Sequence, residues 1–180
     1  SIAYTGGGTP ISHSGNKSVV IYTAANADAA KYSSHANNLE HLQGVAQRLS
    51  LDDSKKYKLQ FFYYRPNLVW GTTDVAANIN HAEKIVVGIV SSTEANVNTD
   101  YTYEEVITLE KTEGWKEYNI TFDLPDIIQK NPGKSFEKCA IFFNIVPEID
   151  SAQKTLKTLV NLDDISLTET VSYTHLRAHE

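Results

Sequence analysis

Two adjacent carboxylates, Asp163 and Asp164, stand in the middle of VNLDDISL, a segment that otherwise has the composition of a buried strand. If the two-residue alternation of a strand holds throughout, Asp163 shares a face with Ile165 and Leu167, whose aliphatic side chains make that face the inner one. A buried charge is costly, so an inward Asp163 needs a partner. Capping of a turn and pairing with a lysine are two ways to supply it.

Two other pairs of neighbouring carboxylates invite comparison with the acid and base of a glycosidase. They are Glu104–Glu105 and Asp52–Asp53. Neighbouring residues of a strand point to opposite faces, so neither pair can place two carboxylates on either side of one glycosidic bond. Solvated charges at a turn or a sheet edge are the better interpretation of both pairs.

No other motif indicates catalysis. In GGGTPISHSGNKS, Asn16 separates Gly15 from Lys17 and a β-branched strand follows, whereas a phosphate-binding loop needs Gly-Lys-Ser and then a helix. No serine or cysteine nucleophile motif is present. Four histidines show no ligand spacing: His13, His35, His41 and His81. We therefore predict that the chain is not an enzyme.

Composition excludes several classes of partner. With 180 residues, 41% of them hydrophobic, the chain can build one domain with a real core. A formal charge of -6 at pH 7 and only three arginines argue against nucleic acid and against an anionic membrane surface. No apolar run approaches the roughly 18 residues needed to insert into a bilayer. The single cysteine, Cys139, lies in an apolar run and is predicted to be a buried small hydrophobe.

Eight segments have the composition and alternation of strands. They span residues 17–25, 44–51, 56–65, 83–92, 103–110, 115–124, 139–146 and 158–167. The best helical candidate is 27–42, and a single helical turn is expected at 126–130. Many strands without crossover helices predict an all-β fold, an antiparallel β-sandwich of the jelly-roll kind.

Segment 56–65 presents two rows of side chains with a period of two. The predicted inner row is Tyr57, Leu59, Phe61 and Tyr63. The alternate row, Gln60, Phe62 and Tyr64, then faces outward, where two nearby aromatic rings are unusual on a solvated sheet. Flat rings stack on the C–H surfaces of pyranoses and amides bind hydroxyls, so the outer row is a candidate carbohydrate-binding site.

Four blocks, taken in order, resemble the jelly-roll carbohydrate-binding modules of families 4, 9 and 22, which have a galactose-binding-like fold. The blocks are SGNKS, GVAQRLSLDDSKKYKLQFFYYR, GWKEYNITF and VNLDDISL, and the resemblance spans residues 12–168. It implies a non-catalytic module that binds polysaccharide or oligosaccharide. It also implies that the module is tethered to a catalytic domain in a larger, extracellular or cell-surface bacterial protein. A structural or adhesive β-sandwich domain without a sugar site is the alternative.

On similar modules a concave sheet face forms the glycan groove, and the resemblance extends the candidate site to further residues. Trp70, in the loop PNLVWGTTD, is the strongest candidate for ring stacking, with a plug over the end of the sandwich as the alternative. Trp115 matches the structural tryptophan of such modules and is assigned to the core. The remaining groove residues are expected to be Arg48, Asn144, Tyr101 and Tyr103. Long loops at 26–43 and 67–82 are the segments that would bury the outer row if they fold over it.

The resemblance also implies a structural Ca²⁺ site at Asp163 and Asp164, since carboxylate and carbonyl oxygens are the ligands that this ion prefers. In similar modules a glutamate of the first strand and backbone oxygens of the segment matching SGNKS complete it. The printed sequence contains no segment with the pattern of that first strand. We therefore expect a sandwich that lacks its first strand and an incomplete calcium site.

The sandwich is predicted to span residues 1–170. Residues 171–180, VSYTHLRAHE, have no period of 2 or 3.6 and resemble the translation of a sequencing adaptor. They are predicted to be a non-native tail, which excludes the pair His175 and His179 from consideration as a metal site.

Overall fold

The computed structural model describes residues 12–23, 44–69, 78–91, 102–111 and 114–171. The strands are β1 (Val19–Thr23), β2 (Gly44–Leu49), β3 (Lys56–Tyr64), β4 (Lys84–Ser91), β5 (Tyr103–Thr108), β6 (Lys116–Asp123), β7 (Cys139–Val146) and β8 (Thr158–Glu169), and the helix α1 spans Leu124–Lys130. The predicted strands and the predicted helical turn are confirmed. The helical candidate 27–42 and the tail 172–180 lie outside the described residues. Within those residues, the helical structure is too short to cross a membrane.

The first strand pairs with the last, and the pairing continues inward along the chain to the two middle strands. β1 pairs with β8, β2 with β7, β3 with β6 and β4 with β5, all antiparallel. Two further ladders, β3–β8 and β4–β7, join these pairs into two sheets of four strands. The sheet orders are β1-β8-β3-β6 and β2-β7-β4-β5, which is the arrangement of a jelly roll. The predicted antiparallel β-sandwich is confirmed, and the absence of its first strand stays a prediction.

The core lies between the two sheets and is filled by the inner row of each strand. In β3, Leu59, Phe61 and Tyr63 are buried, as the period of two predicts. The Phe61 ring meets Phe143 of β7 across the sandwich, edge to face, with 5.1 Å between ring centroids. Such a pair adds to the hydrophobic stabilisation from burial. The outer row of β3 therefore faces away from the core.

A bulge in β8 reverses the predicted orientation of Asp163. Phe62 is opposite Asp163 and Gln60 is opposite Ser166, so β8 has one more residue than β3 in this interval. Asp164 sits in the bulge with φ of 47°, in the left-handed region. The extra residue shifts the period of two, and Asp163 lies on the outer face beside Phe62.

The bulge also changes which aliphatic residues of β8 reach the core. Val160 and Leu162 are fully buried before it, and Leu167 packs against the core after it. Ile165, by contrast, is 41% exposed. The prediction that Asp163 and Ile165 face inward is therefore wrong. An inward carboxylate does not occur at Asp163, and its charge remains within reach of solvent.

Gly88 of β4 allows two neighbours to pack against the backbone. A Cβ atom added there would come within 2.7 Å of Phe142 Cζ and closer still to the Tyr103 carbonyl oxygen. We expect Gly88→Ala to lower the free energy of unfolding by about 1–3 kcal/mol through overpacking. The control is Gly114→Ala, where a Cβ atom meets nothing within 4 Å. Urea denaturation of both variants checks this, and equal effects would contradict it.

The single cysteine is a buried thiol, as the sequence predicts. Cys139 is 1% exposed, and burial raises its pKa to about 12 because the thiolate is poorly solvated in the core. We expect no reaction with a disulfide reagent at mildly alkaline pH in the folded protein and full reaction after unfolding in urea. A rapid reaction of the folded protein would show that the strand around Cys139 is not packed.

Candidate functional site

Four rings gather on the outer face of the β1-β8-β3-β6 sheet. They are His13, Phe62, Tyr64 and Trp115, and we call this group the aromatic face. Ring centroids are 5.8 Å apart for Tyr64 and Trp115 and 5.9 Å apart for His13 and Trp115. Three of the rings are half-buried and His13 is exposed. The rings therefore form one continuous aromatic surface that solvent can reach.

Trp115 belongs to the aromatic face, so its assignment to the core is wrong. Tyr63 of the inner row is opposite Lys116 in the β3–β6 ladder, and the residue before Lys116 therefore lies on the side of Tyr64. The sequence contains the signal for this. Ile120 and Phe122 are the buried row of β6, and a period of two counted back from them puts Trp115 on the outer side.

A polar group of three side chains continues the aromatic face along β3 and β6. Glu117 is opposite Phe62, and its Oε1 accepts hydrogen bonds from Gln60 Nε2 at 2.6 Å and from Asn119 Nδ2 at 3.1 Å. We call Gln60, Glu117 and Asn119 the polar group. Only Gln60 was predicted. Glu117 and Asn119 have the outward phase of β6, but nothing in the sequence shows that β6 lies beside β3.

His13 reaches the aromatic face because β8 holds the segment before β1. Asp163 Oδ2 accepts hydrogen bonds from the backbone N–H of His13 at 2.8 Å and of Ser14 at 3.2 Å. The Asp164 carboxylate bonds Ser14 Oγ at 2.5 Å and His13 Nδ1 at 2.7 Å. The hydrogen bond from Ser14 and then that from His13 hold the pKa of Asp164 below its usual value. The His13 ring then stacks on Phe62, with centroids 3.7 Å apart and planes 14° apart.

The carboxylates of Asp163 and Asp164 do not fit a Ca²⁺ ion as they are arranged. Calcium needs six to eight oxygen ligands. Asp163 Oδ1 accepts the backbone N–H of Asp164 at 2.8 Å, so all four carboxylate oxygens already have hydrogen-bond partners. Within the described ranges, no three His, Cys, Asp or Glu side chains are grouped to hold a metal ion. Turn capping, the alternative open from the sequence, is the role these contacts give Asp163.

Other predicted groove residues lie away from the aromatic face. Arg48 of β2 and Asn144 of β7 are on the outer face of the second sheet, opposite Ala140 and Gly44 in the β2–β7 ladder. Arg48 is exposed and Asn144 is buried. The structure therefore does not bring Arg48 and Asn144 together with Phe62. The alternation of a strand gives the phase of a residue but not the sheet in which the strand lies.

Tyr103 is directed toward the core and does not wall a groove. Its ring meets Phe122 edge to face across the sandwich, with centroids 6.1 Å apart. Its hydroxyl donates a hydrogen bond to Glu105 at 2.7 Å, and this bond and burial raise the pKa of Tyr103 to about 12. Trp70 and Tyr101 lie outside the described residues, and their predicted roles stay predictions.

Comparisons with known proteins give similarity at low identity. No protein-family model matches the chain. No curated protein matches it either. A solved family 4 carbohydrate-binding module (CBM4) is 16% identical, with a TM-score of 0.45 over 71% of this chain and 61% of that one. A CBM28 module specific for non-crystalline cellulose is 14% identical, with a TM-score of 0.47 over 87% and 78%. A CBM61 module in complex with β-1,4-galactotriose is 12% identical, with a TM-score of 0.44 over 88% and 74%.

This chain thus spans about three fifths of the length of the CBM4 chain. The jelly-roll assignment depends on the strand order of the chain itself, in which each of the eight strands has a defined partner.

Proposed function

We propose that the chain is a non-catalytic carbohydrate-binding module that holds a polysaccharide or oligosaccharide on the aromatic face. The observation that carries this proposal is the pair Tyr64 and Trp115, whose rings lie 5.8 Å apart and half-buried on an outer sheet face. A sheet surface without a ligand has little reason to keep two large rings in contact with water.

The chemistry of the face suits a sugar. Pyranose rings offer C–H surfaces that stack on aromatic rings, and Tyr64 and Trp115 supply such rings. Hydroxyl groups need both donors and acceptors, and the polar group supplies amide and carboxylate atoms next to Phe62. The exposed carboxylate of Glu117 repels anions, so we expect uncharged glycans to bind better than uronic-acid or sulfated ones.

Glycan binding by a module without catalytic activity has its effect through the larger protein that contains the module. A module that holds a polymer raises the effective concentration of any domain tethered to it. We propose that the chain is part of an extracellular or cell-surface bacterial protein that acts on polysaccharide, and that it is itself without catalytic activity. The resemblance of residues 12–168 to carbohydrate-binding modules supports this context.

Affinity electrophoresis and isothermal titration calorimetry against a panel of plant and microbial glycans test the proposal. We expect retardation by at least one uncharged polysaccharide, with a dissociation constant of about 10 µM to 1 mM, as expected for a small exposed site. If no glycan in the panel binds a folded protein, the alternative of a structural or adhesive sandwich domain is favoured.

A further inference from the structure

We propose that Asp163 and Asp164 form a metal-independent lock that fastens residues 12–16 across the outer face of the sheet. We call residues 12–16 the clasp segment. Direct hydrogen bonds from the clasp segment perform the task that the family resemblance assigns to calcium. The inference concerns the folding of this surface and does not depend on glycan binding.

The bulge in β8 is what turns both carboxylates toward the clasp segment. In an unbroken strand, Asp163 and Asp164 would point to opposite faces. The left-handed φ of 47° at Asp164 breaks this alternation, and the Asp164 backbone N–H bonds back to Asp163 Oδ1 at 2.8 Å. The two carboxylates can therefore bind the same loop, His13 and Ser14 together.

Four hydrogen bonds join the clasp segment to the two carboxylates in this lock. Two backbone N–H groups, one hydroxyl and one ring nitrogen are directed at the two carboxylates. Hydrogen bonds to charged acceptors are about twice as strong as those between neutral groups. A cation at these carboxylate oxygens would lie beside the partial positive charges of the donors, which makes calcium a competitor of the lock.

The surroundings of the doublet also oppose a bound cation. Asp163 and Asp164 line a shallow depression of about 240 Å³ together with Lys17, Ser18 and the aliphatic residues of β1 and β8. Lys17, one of the residues that line the depression, is a cationic residue, and like charges repel. The clasp segment closes on itself as well, since Ser12 Oγ donates a hydrogen bond to the Gly15 carbonyl at 3.1 Å.

The lock has a consequence for the aromatic face. It sets the His13 ring parallel to Phe62 at 3.7 Å, so one face of Phe62 is covered. The rings that remain open to solvent beside it are His13, which keeps 33% of its side chain exposed, and the half-buried Tyr64 and Trp115. The lock thereby determines which rings a ligand can meet.

Amide hydrogen exchange of His13 and Ser14, followed by NMR, tests the lock. We expect both amides to be protected equally, within about twofold, in a chelator and in millimolar calcium. Asp163→Ala should speed their exchange by about tenfold or more, because Asp163 accepts both N–H groups. Asp52→Asn is the control, since Asp52 caps Ser54 in the turn between β2 and β3 and does not touch the clasp segment.

Ser14→Ala separates the lock from a calcium site without risk to the core. It removes the bond from Ser14 Oγ to Asp164 and keeps every backbone oxygen, so a calcium site built on backbone oxygens would be unaffected. We expect faster exchange of the His13 amide in this variant. The lock is wrong if calcium slows the exchange of both amides by about tenfold in the wild type. It is also wrong if exchange in a chelator is as fast in the wild type as in Asp163→Ala.

Discussion

Replacing Trp115 by alanine is expected to weaken glycan binding about thirtyfold, a loss of about 2 kcal/mol that is typical of a central aromatic residue in a binding site. Tyr64→Ala is expected to cost somewhat less, because its ring presents a smaller stacking surface. Phe62→Leu should change affinity little, since His13 already covers one face of the Phe62 ring. Isothermal titration calorimetry with the best glycan of the panel measures all three effects.

Two controls keep this result interpretable. Arg48→Ala changes an exposed residue on the opposite sheet and should leave affinity unchanged if the aromatic face is the site. Trp115→Phe should restore part of the affinity, because a flat ring remains at the position. A large loss in Arg48→Ala together with normal binding by Trp115→Ala would move the site to the β2-β7-β4-β5 sheet and contradict the proposal.

The second large effect concerns stability. Phe61→Ala is expected to lower the free energy of unfolding by about 4 kcal/mol, since Phe61 is fully buried and contacts Phe143 across the sandwich. Phe62→Ala, one residue along the same strand, should cost about 1 kcal/mol, because its ring is half-buried on the outer face. The two variants remove the same type of side chain, one from the inner face of β3 and the other from the outer face.

Urea denaturation monitored by fluorescence gives both values, and the slopes of the transitions show whether each variant unfolds in two states. Similar losses for the two variants would mean that the outer face of β3 is packed as tightly as the core. In that case the aromatic face would be a second layer of the core, and the structural or adhesive alternative would gain support.

The aromatic face and the lock are connected through β8. Phe62 is opposite Asp163 in the β3–β8 ladder, so the carboxylate that holds the clasp segment lies next to the ring that His13 covers. A change in the bulge would therefore alter the ligand face as well as the loop. The outward orientation of Asp163 and Asp164, in the half of β8 that is largely exposed, explains why two charges stand in this strand without a large desolvation cost.

The amino-acid sequence by itself determines the strands and the side to which most of their residues point. The sequence predicts β7 at residues 139–146, where the structure has it, and the period of two gives the inner row of β3 correctly. The physical reason is local. A period of two in apolar residues is visible within one strand, and it needs no knowledge of the partner strands. The same count, applied backward from Phe122, puts Trp115 on the outer face, where the structure has it, whereas the resemblance assigns it to the core.

Tertiary structure alone decides which strands share a sheet and where the alternation breaks. Arg48 and Phe62 both have the outward phase, yet the ladders put them in different sheets. The bulge at Asp164 exists only relative to β3, because an extra residue is defined by the strand opposite it. His13 reaches Asp164 across 151 positions of sequence, a contact made by the pairing of β1 with β8. Long-range pairing, which no local pattern encodes, therefore created the aromatic face and its lock.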